Sequence, residues 1–384
     1  MRMREVAIIG VGCTEFNPVT PDVSWKELIF EAATKAFEDA GIDPRRDVDS
    51  FITCAEDYWE GFAIFDEFTP DQLGAALRPM HTVAGDGLHG LANAYMQIKT
   101  GLFDIVVVEA HSKISDLLTY EDVVLFAFDP VYEAPLGGHP YYLAGLEMRE
   151  YLDCAGTSEE ECAAVAVKNK RNALRNPLAP FGAAISIDDV MCSPYLFDPL
   201  KELEIAPLVD GAIVFVLAEG GLARRLVQEP IFLVGIGWWS ESPWVGSRFA
   251  DAGYARCAAE MAYRQAGIKN PLLEIDLVEV DDRFAYKELQ HLEALGLARP
   301  GEAGQLVLEG ALEREGELPV NVSGGSLGMG DLVEAGGLAR ALEIVLQLRG
   351  EAAGRQVDGA EVGLALSWRG LPHGTGAVAL FRRG

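Results

Sequence analysis

The chain has 384 residues, 49% of them hydrophobic, a length that buries well over half of the unfolded surface and splits into two domains or two fused halves. Its formal net charge of −28, from 59 acidic and 31 basic residues, argues against nucleic acid and leaves a small anionic ligand only where basic residues gather. No apolar run approaches the ~20 residues of a membrane span, and the N-terminal residues enter a strand-like run without a signal-peptide core, so a cytoplasmic protein with no membrane association is expected.

A buried strand is read over 6–12, closing on Gly10 and Gly12. A helix follows over 24–40. Ser24 and Glu27 form a capping box, Trp25, Leu28, Ala32, Ala36 and Ala40 make one apolar stripe, and Gly41 stops it. A short strand is expected over 48–53. His81 to Gly87 then leads into an Ala-rich helix ending near Lys99 and Gly101, before a strand over 104–109. An insertion over about 112–200 carries a helix over 141–154 and another starting near Thr157. Inserted segments of this kind often wall a binding site.

The pattern then starts again. Residues 231–237 repeat the strand closing on glycines, 253–266 repeat the helix, and both helices end in Ala-Gly-Ile. A strand over 275–280 matches 48–53. Val320 to Gly325 leads through a loop to a helix over 332–348, as His81 to Gly87 does in the first half, and a last strand spans 377–381. Each half reads β-α-β-α-β, which predicts an α/β fold with parallel or mixed sheets covered by helices. The expected boundaries are 1–225, including the insertion, and 226–384. The six cysteines, Cys13, Cys54, Cys154, Cys162, Cys192 and Cys257, form no CxxC pair and no zinc spacing with histidine, and are expected to be small buried hydrophobes.

Several motifs give the repeat a specific resemblance. Thr157-Ser-Glu-Glu160, Val165-Ala-Val-Lys-Asn-Lys-Arg-Asn172 and Asn176-Pro177 fall in the insertion. Asp198-Pro-Leu200, Pro207-Leu-Val-Asp-Gly-Ala212, Glu293-Ala-Leu-Gly-Leu297, Pro300-Gly-Glu302, Asn321-Val-Ser-Gly-Gly325 and Gln347-Leu-Arg-Gly350 follow in order. Together they resemble the thiolase superfamily, in its sterol-carrier-protein-type, archaeal acetyl-CoA acetyltransferase and lipid-transfer-protein branches, over essentially the whole chain. The resemblance implies a five-layer α-β-α-β-α arrangement, a homodimer packed through the first half, and an acyl-CoA substrate or ligand with no covalently bound cofactor and no metal.

The same resemblance implies four reactive positions, and this sequence fills them unusually. The nucleophilic cysteine falls on Ala84, with Asp86 at the motif's serine and Gly87 at its glycine. No cysteine lies between Cys54 and Cys154, so no change of register restores one. The His-Asp-x-Phe motif reads Asp281-Asp-Arg-Phe284, and the Gly-His-Pro motif reads Gly330-Asp331-Leu332. The near-C-terminal Cys-x-Gly falls in Leu366-Ser-Trp-Arg-Gly370. The turns and glycines around these positions remain, which favours a kept pocket with changed chemistry.

Asp281 and Asp331 should face one cavity, where two carboxylates split their pKa values and suit acid/base work; the alternatives are backbone hydrogen bonds, ion pairs with Arg283 or Arg369, or a cation. Asp86 is either catalytic or the N-cap of its helix. His89 reaches the pocket or packs in the helix. His139 and His373 are weaker candidates. Gly87, Ser323, Gly324, Gly325 and Gly330 are expected to shape the substrate site. Lys168, Lys170, Arg171 and Arg175 are the dense basic run that would meet coenzyme A phosphates, or else a solvated helix face. The leading expectation is carbon–carbon chemistry of the aldolase type on an acyl-CoA, with no acyl-enzyme. The alternatives are a non-catalytic acyl-CoA-binding subunit paired with a small zinc-ribbon/OB-fold protein, and a nominal acetyl-CoA C-acyltransferase.

Overall fold

The computed structural model describes residues 4–56, 64–117, 119–136, 139–241, 249–371 and 374–384. The first half contributes β1 (Val6–Cys13), α1 (Trp25–Ala40), β2 (Ser50–Cys54), β3 (Met80–Val83), α2 (Gly87–Thr100) and β4 (Ile105–Ser112). The insertion carries α3 (Pro140–Ala155) and α4 (Glu159–Ala173) and returns through β5 (Gly211–Glu219). The second half contributes β6 (Ile231–Ser240), α5 (Gly253–Ala266), β7 (Leu277–Glu279), α6 (Ala285–Ala294), α7 (Gly336–Arg349), β8 (Val362–Trp368) and β9 (Thr375–Arg383).

The strands form one nine-stranded mixed sheet, in the order β3-β2-β4-β5-β1-β6-β9-β8-β7. Its two ends are built alike. In the first half, β2 pairs parallel with β3 and β4, and β5 runs antiparallel between β4 and β1. In the second, β7 pairs parallel with β8, and β9 runs antiparallel between β8 and β6. Val320 supplies the missing edge strand as a single parallel bridge to Val278. The halves meet where β1 pairs antiparallel with β6, at Ala7 with Phe232 and Ile8 with Ile231.

Alternation along the strands builds the layers. Val6 and Ile8 of β1, and Ile213, Phe215 and Leu217 of β5, join an inner core with α2 and α7. Ala377, Ala379 and Phe381 of β9 enter the same core from the other half. The intervening Ala7, Ile9, Val214 and Val216 face α1 on the outside. Val378 and Leu380 of β9 face α5 and the insertion. Two helices therefore lie trapped between two half-sheets, each covered outside by another helix, which is the expected five-layer thiolase fold.

The repeated glycines have a packing cause. A Cβ on Gly12 would lie 2.3 Å from the Ala32 carbonyl oxygen of α1, and one on Gly237 would lie 2.1 Å from that of Ala258 in α5. Each outer helix sits directly on its strand. The β-α-β-α-β reading of each half missed three strands, one of them Val362–Trp368, a wholly buried run with no alternation to mark it. Met80–Val83 is four residues of half-exposed edge without a clear apolar run, and Gly211–Glu219 follows the insertion rather than the repeat. The helix expected from Leu332 starts at Gly336, after a single 3-10 turn over Val333–Ala335. Cys54 and Cys162 are buried as expected, whereas Cys154 and Cys192 are exposed.

Because the Gly237 contact is with backbone, which cannot move aside, Gly237→Ala is expected to destabilise the fold by about 1–3 kcal/mol. Urea unfolding should show a lower midpoint with an unchanged slope.

Candidate functional site

β3 ends at Val83, and Ala84 and Gly85 carry the chain into α2. Ala84 is exposed and offers only a methyl group. Asp86 is the N-cap of α2: one carboxylate oxygen accepts the Leu88 N–H at 2.8 Å. Its other oxygen accepts the Gly337 N–H at the start of α7, at 2.7 Å. A Cβ on Gly337 would come within 2.0 Å of Asp86 Oδ1, so only glycine admits this bridge. Burial lifts the Asp86 pKa above its ordinary value although these donors oppose it. Asp86 is thus structural first, capping two helices with one carboxylate.

Cys54 does not offer a reactive thiol near Ala84. Cys54, at the end of β2, lies behind α2, where a Cβ on Gly90 would sit 2.2 Å from its Sγ. It is fully buried, and burial followed by the Glu109 charge pushes its pKa well above the ordinary thiol value. A nucleophilic thiolate needs the reverse environment.

Asp281 and Asp331, which the resemblance sets at its histidine positions, are each held by arginine. Asp281 accepts Arg340 Nη2 at 2.8 Å and the Arg283 backbone N–H at 3.0 Å. Asp331 receives the Arg283 guanidinium on both oxygens, at 2.5 and 3.1 Å, and the Val333 N–H at 3.0 Å. Their acidities move in opposite directions. Burial works to raise the Asp281 pKa, but Arg340, Arg283 and His291 outweigh it and hold it below its ordinary value. For Asp331 burial wins over Arg283, and the pKa rises. The site therefore holds one carboxylate biased to stay ionised beside one biased toward the proton, the division of labour that acid/base chemistry uses.

Glu56, Glu334 and Tyr120 carried no site reading in the sequence. Arg369, an expected partner of Asp281 or Asp331, instead pairs with Glu56 across 313 positions of chain. The Glu56 N–H donates to Glu334 at 3.0 Å. Tyr120 is buried; its phenol lies in the fields of Arg283, Asp331 and Glu334, with burial the main cause of its raised pKa. Arg369 lies in the segment where the resemblance places the second acid/base group. Its partner was not visible in the sequence. His89, in the first turn of α2, folds back over Gly85: a Cβ there would lie 3.5–3.6 Å from its ring atoms.

Other expected ligand contacts turn out to be scaffold. Lys168 is 1% exposed and spends its ammonium on Glu288 at 3.0 Å and the Val320 carbonyl at 2.8 Å. Lys170 is also buried and donates to the Leu327 carbonyl at 3.1 Å. The reading of both as phosphate ligands is therefore corrected: helix α4 packs this face inward. Arg171, paired with Glu313, and Arg175 remain at the surface. The Ser323 hydroxyl donates to Glu279 at 2.5 Å. Gly325, at φ +58°, leaves room for Asp282, which a Cβ would meet at 2.1 Å. Gly324 and Gly330, at φ +101° and +95°, pass Ala173 and Val209 as closely, and Gly87 passes Leu338. His139 caps α3 by accepting the Tyr141 N–H. His373 lies outside the described residues.

Residues 247–382 match the family model described as thiolase C-terminal domain-like. The chain is 33% identical to the acetyl-CoA acetyltransferase of Methanothermobacter thermautotrophicus, over 99% of this chain and 100% of that one. It is 30% identical to sterol carrier protein 2 of Homo sapiens, over 94% of this chain and 69% of that one. Among solved structures, the Ltp2-ChsH2(DUF35) aldolase superposes with a TM-score of 0.84 and 25% identity, covering 98% of this chain and 97% of that chain.

Two measurements probe the buried charges. Arg283→Met leaves Asp331 buried without its cation and should cost about 3–5 kcal/mol, much of it regained in Arg283→Met/Asp331→Leu. Denaturant titration would show it. The second concerns Asp282 and Glu279, raised chiefly by burial to about 7 and about 8. Both bind a proton more tightly folded than unfolded. Their stabilisation is therefore complete below the unfolded values of 3.8 and 4.5, and is lost as pH rises through about 7 and about 8. Asp282→Asn should flatten the lower part of that decline.

Proposed function

The chain belongs to the thiolase superfamily, and from that premise we propose that it takes an acyl-CoA and breaks or forms a carbon–carbon bond by aldolase-type chemistry, without an acyl-enzyme. One observation carries the reading: Ala84, where the resemblance puts the family's nucleophile, is exposed and bears only a methyl group, and Cys54, the nearest cysteine in sequence, is sealed behind α2. The likeness to the Ltp2-ChsH2(DUF35) aldolase supports it.

A retro-aldol step suits what remains. A base takes the proton of a β-hydroxyl, the Cα–Cβ electron pair moves into a thioester enolate, an aldehyde or ketone leaves, and the proton returns to Cα. Nothing but the β-hydroxyacyl thioester is consumed. Asp281 and Asp331, with oppositely shifted acidities, are the proposed proton carriers. We assign Ser323, Gly324, Gly325 and Gly330 the indirect role of holding their loops.

A second reading rests on the same neighbour, which pairs Ltp2 with ChsH2(DUF35). Here the chain is an acyl-CoA-binding subunit that a small zinc-ribbon/OB-fold partner completes. A homodimer is also proposed; β3 ends the sheet with one side unpaired among the described residues, a natural place for a second copy.

Purified protein, alone and with a DUF35-type partner, should release aldehyde or ketone from β-hydroxyacyl-CoA. Asp331→Asn should lower that rate by on the order of 10²–10⁴-fold while the protein stays folded. Intact-mass measurement after acetyl-CoA treatment should show no acyl adduct. An adduct on a cysteine would sink the proposal in favour of a true acetyl-CoA C-acyltransferase. Binding without turnover under all conditions would leave the carrier reading.

A further inference from the structure

The chemistry above needs a hydrogen-bond donor at the thioester oxygen, where the enolate charge grows. The arginines that hold the site's aspartates, and two of the helix-end N–H groups nearest Asp86, are already engaged. Arg283 is held by Asp331, Arg340 by Asp281 and Ser326, and Arg369 by Glu56. The Leu88 and Gly337 N–H groups both point at Asp86. The aspartates at 281 and 331 are acceptors unless protonated. His89 is different. Both of its ring nitrogens are buried; the Asp86 backbone carbonyl lies close enough to one to act on it, but neither makes a well-formed hydrogen bond among the described residues. Imidazole nitrogens buried without well-formed hydrogen bonds cost stability, and at least one of them has donor capacity to spare beside Ala84, which points to a ligand.

We propose that His89 is the donor to the thioester oxygen of a bound acyl-CoA, taking the oxyanion role left open by Asp281 and Asp331. Its ring lies against Gly85, the residue after Ala84, in the first turn of α2, so a thioester seated over Ala84 comes within its reach. The alternative role is general base. Burial, followed by the Arg369 charge, lowers the His89 pKa to about 4, while the Asp86 backbone carbonyl, which the ring approaches, and the Glu56 charge pull the other way. An imidazole that resists protonation is a poor proton acceptor but a good neutral N–H donor, which polarises a carbonyl without becoming charged. In the retro-aldol step His89 keeps its proton throughout. The hydroxyl proton goes elsewhere and returns to Cα, and the N–H bond to oxygen strengthens as the enolate forms.

This inference rests on the aldolase-type reading for its kinetics but not for its spectroscopy. Glutamine keeps an N–H donor and cannot act as a base; phenylalanine keeps the shape and loses the donor. His89→Phe should lower kcat for aldehyde release by on the order of 10²–10³-fold with little change in KM, and His89→Gln should retain most of the rate. Independently, acetyl-CoA labelled with ¹³C at the thioester carbonyl should show a lowered C=O stretch when bound to the wild-type protein or His89→Gln. The free frequency should return in His89→Phe. Equal loss in His89→Gln and His89→Phe would replace the donor with a base. An unshifted carbonyl in the wild type, or no binding of labelled acetyl-CoA, overturns the proposal. A shifted carbonyl without any aldehyde release leaves the donor standing and removes the aldolase reading instead.

Discussion

Asp86 accepts from the first turn of α2 with one oxygen and from the first turn of α7 with the other. These helices come from different halves of the repeat and fill the space between the two half-sheets. Their packing is tight enough that a Cβ on Gly87 would meet Leu338 at 2.4 Å. One carboxylate thus satisfies a buried orphan N–H on each helix and fixes where both begin. Two positive helix ends are thereby aimed at one place, just beyond Ala84. A carboxylate at Asp86 uses part of that field.

The walls of this place are fixed by buried ion pairs. Arginine holds Asp281 and Asp331, and the supports extend outward. His291 donates from Nδ1 to the Asp281 carbonyl at 2.8 Å, and its Nε2 receives the Tyr254 hydroxyl at 2.7 Å. Lys287 meets Glu147 of the insertion at 2.5 Å and lies 4.0 Å from the Trp368 ring centre. The insertion is therefore tied to the second half through charge as well as apolar contact. Such pairs add little net stability over well-packed apolar side chains, but each is costly to break singly. What they supply is a single arrangement of charge that needs no reorganisation when a substrate charge develops.

The fold was legible because its signals are local and repeated. Ser24 with Glu27 forms the capping box that the sequence implied, Gly41 ends α1, and the second-half helix spans Gly253–Ala266 as read. The strands missed were an edge, a strand displaced by the insertion and the wholly buried Val362–Trp368, where periodicity carries little. The site was legible only in part. Position along the chain located Ala84, Asp86, Asp281 and Asp331. It could not show that Arg340 faces Asp281, that Glu56 meets Arg369, or that Lys168 and Lys170 turn inward. Those facts depend on which helix face the second half covers. A basic run looks the same in sequence whether it meets solvent or Glu288.

The glycines around the altered positions also require a different explanation from the one sequence suggests. Intact turns beside lost reactive residues look like a pocket kept for new chemistry. The structure gives a simpler cause: Gly325, Gly330 and Gly337 each leave space that Asp282, Val209 or Asp86 occupies, so the fold demands them whatever the reaction. The informative residues are the substituted ones and their neighbours. An aspartate placed at random in this interior would be an unpaired buried charge, costing several kcal/mol. Asp281 and Asp331 instead each have an arginine, and Asp86 has two backbone donors. The replacements therefore form a complete set with their counter-charges, and that completeness supports a working site in a way that the surviving glycines cannot.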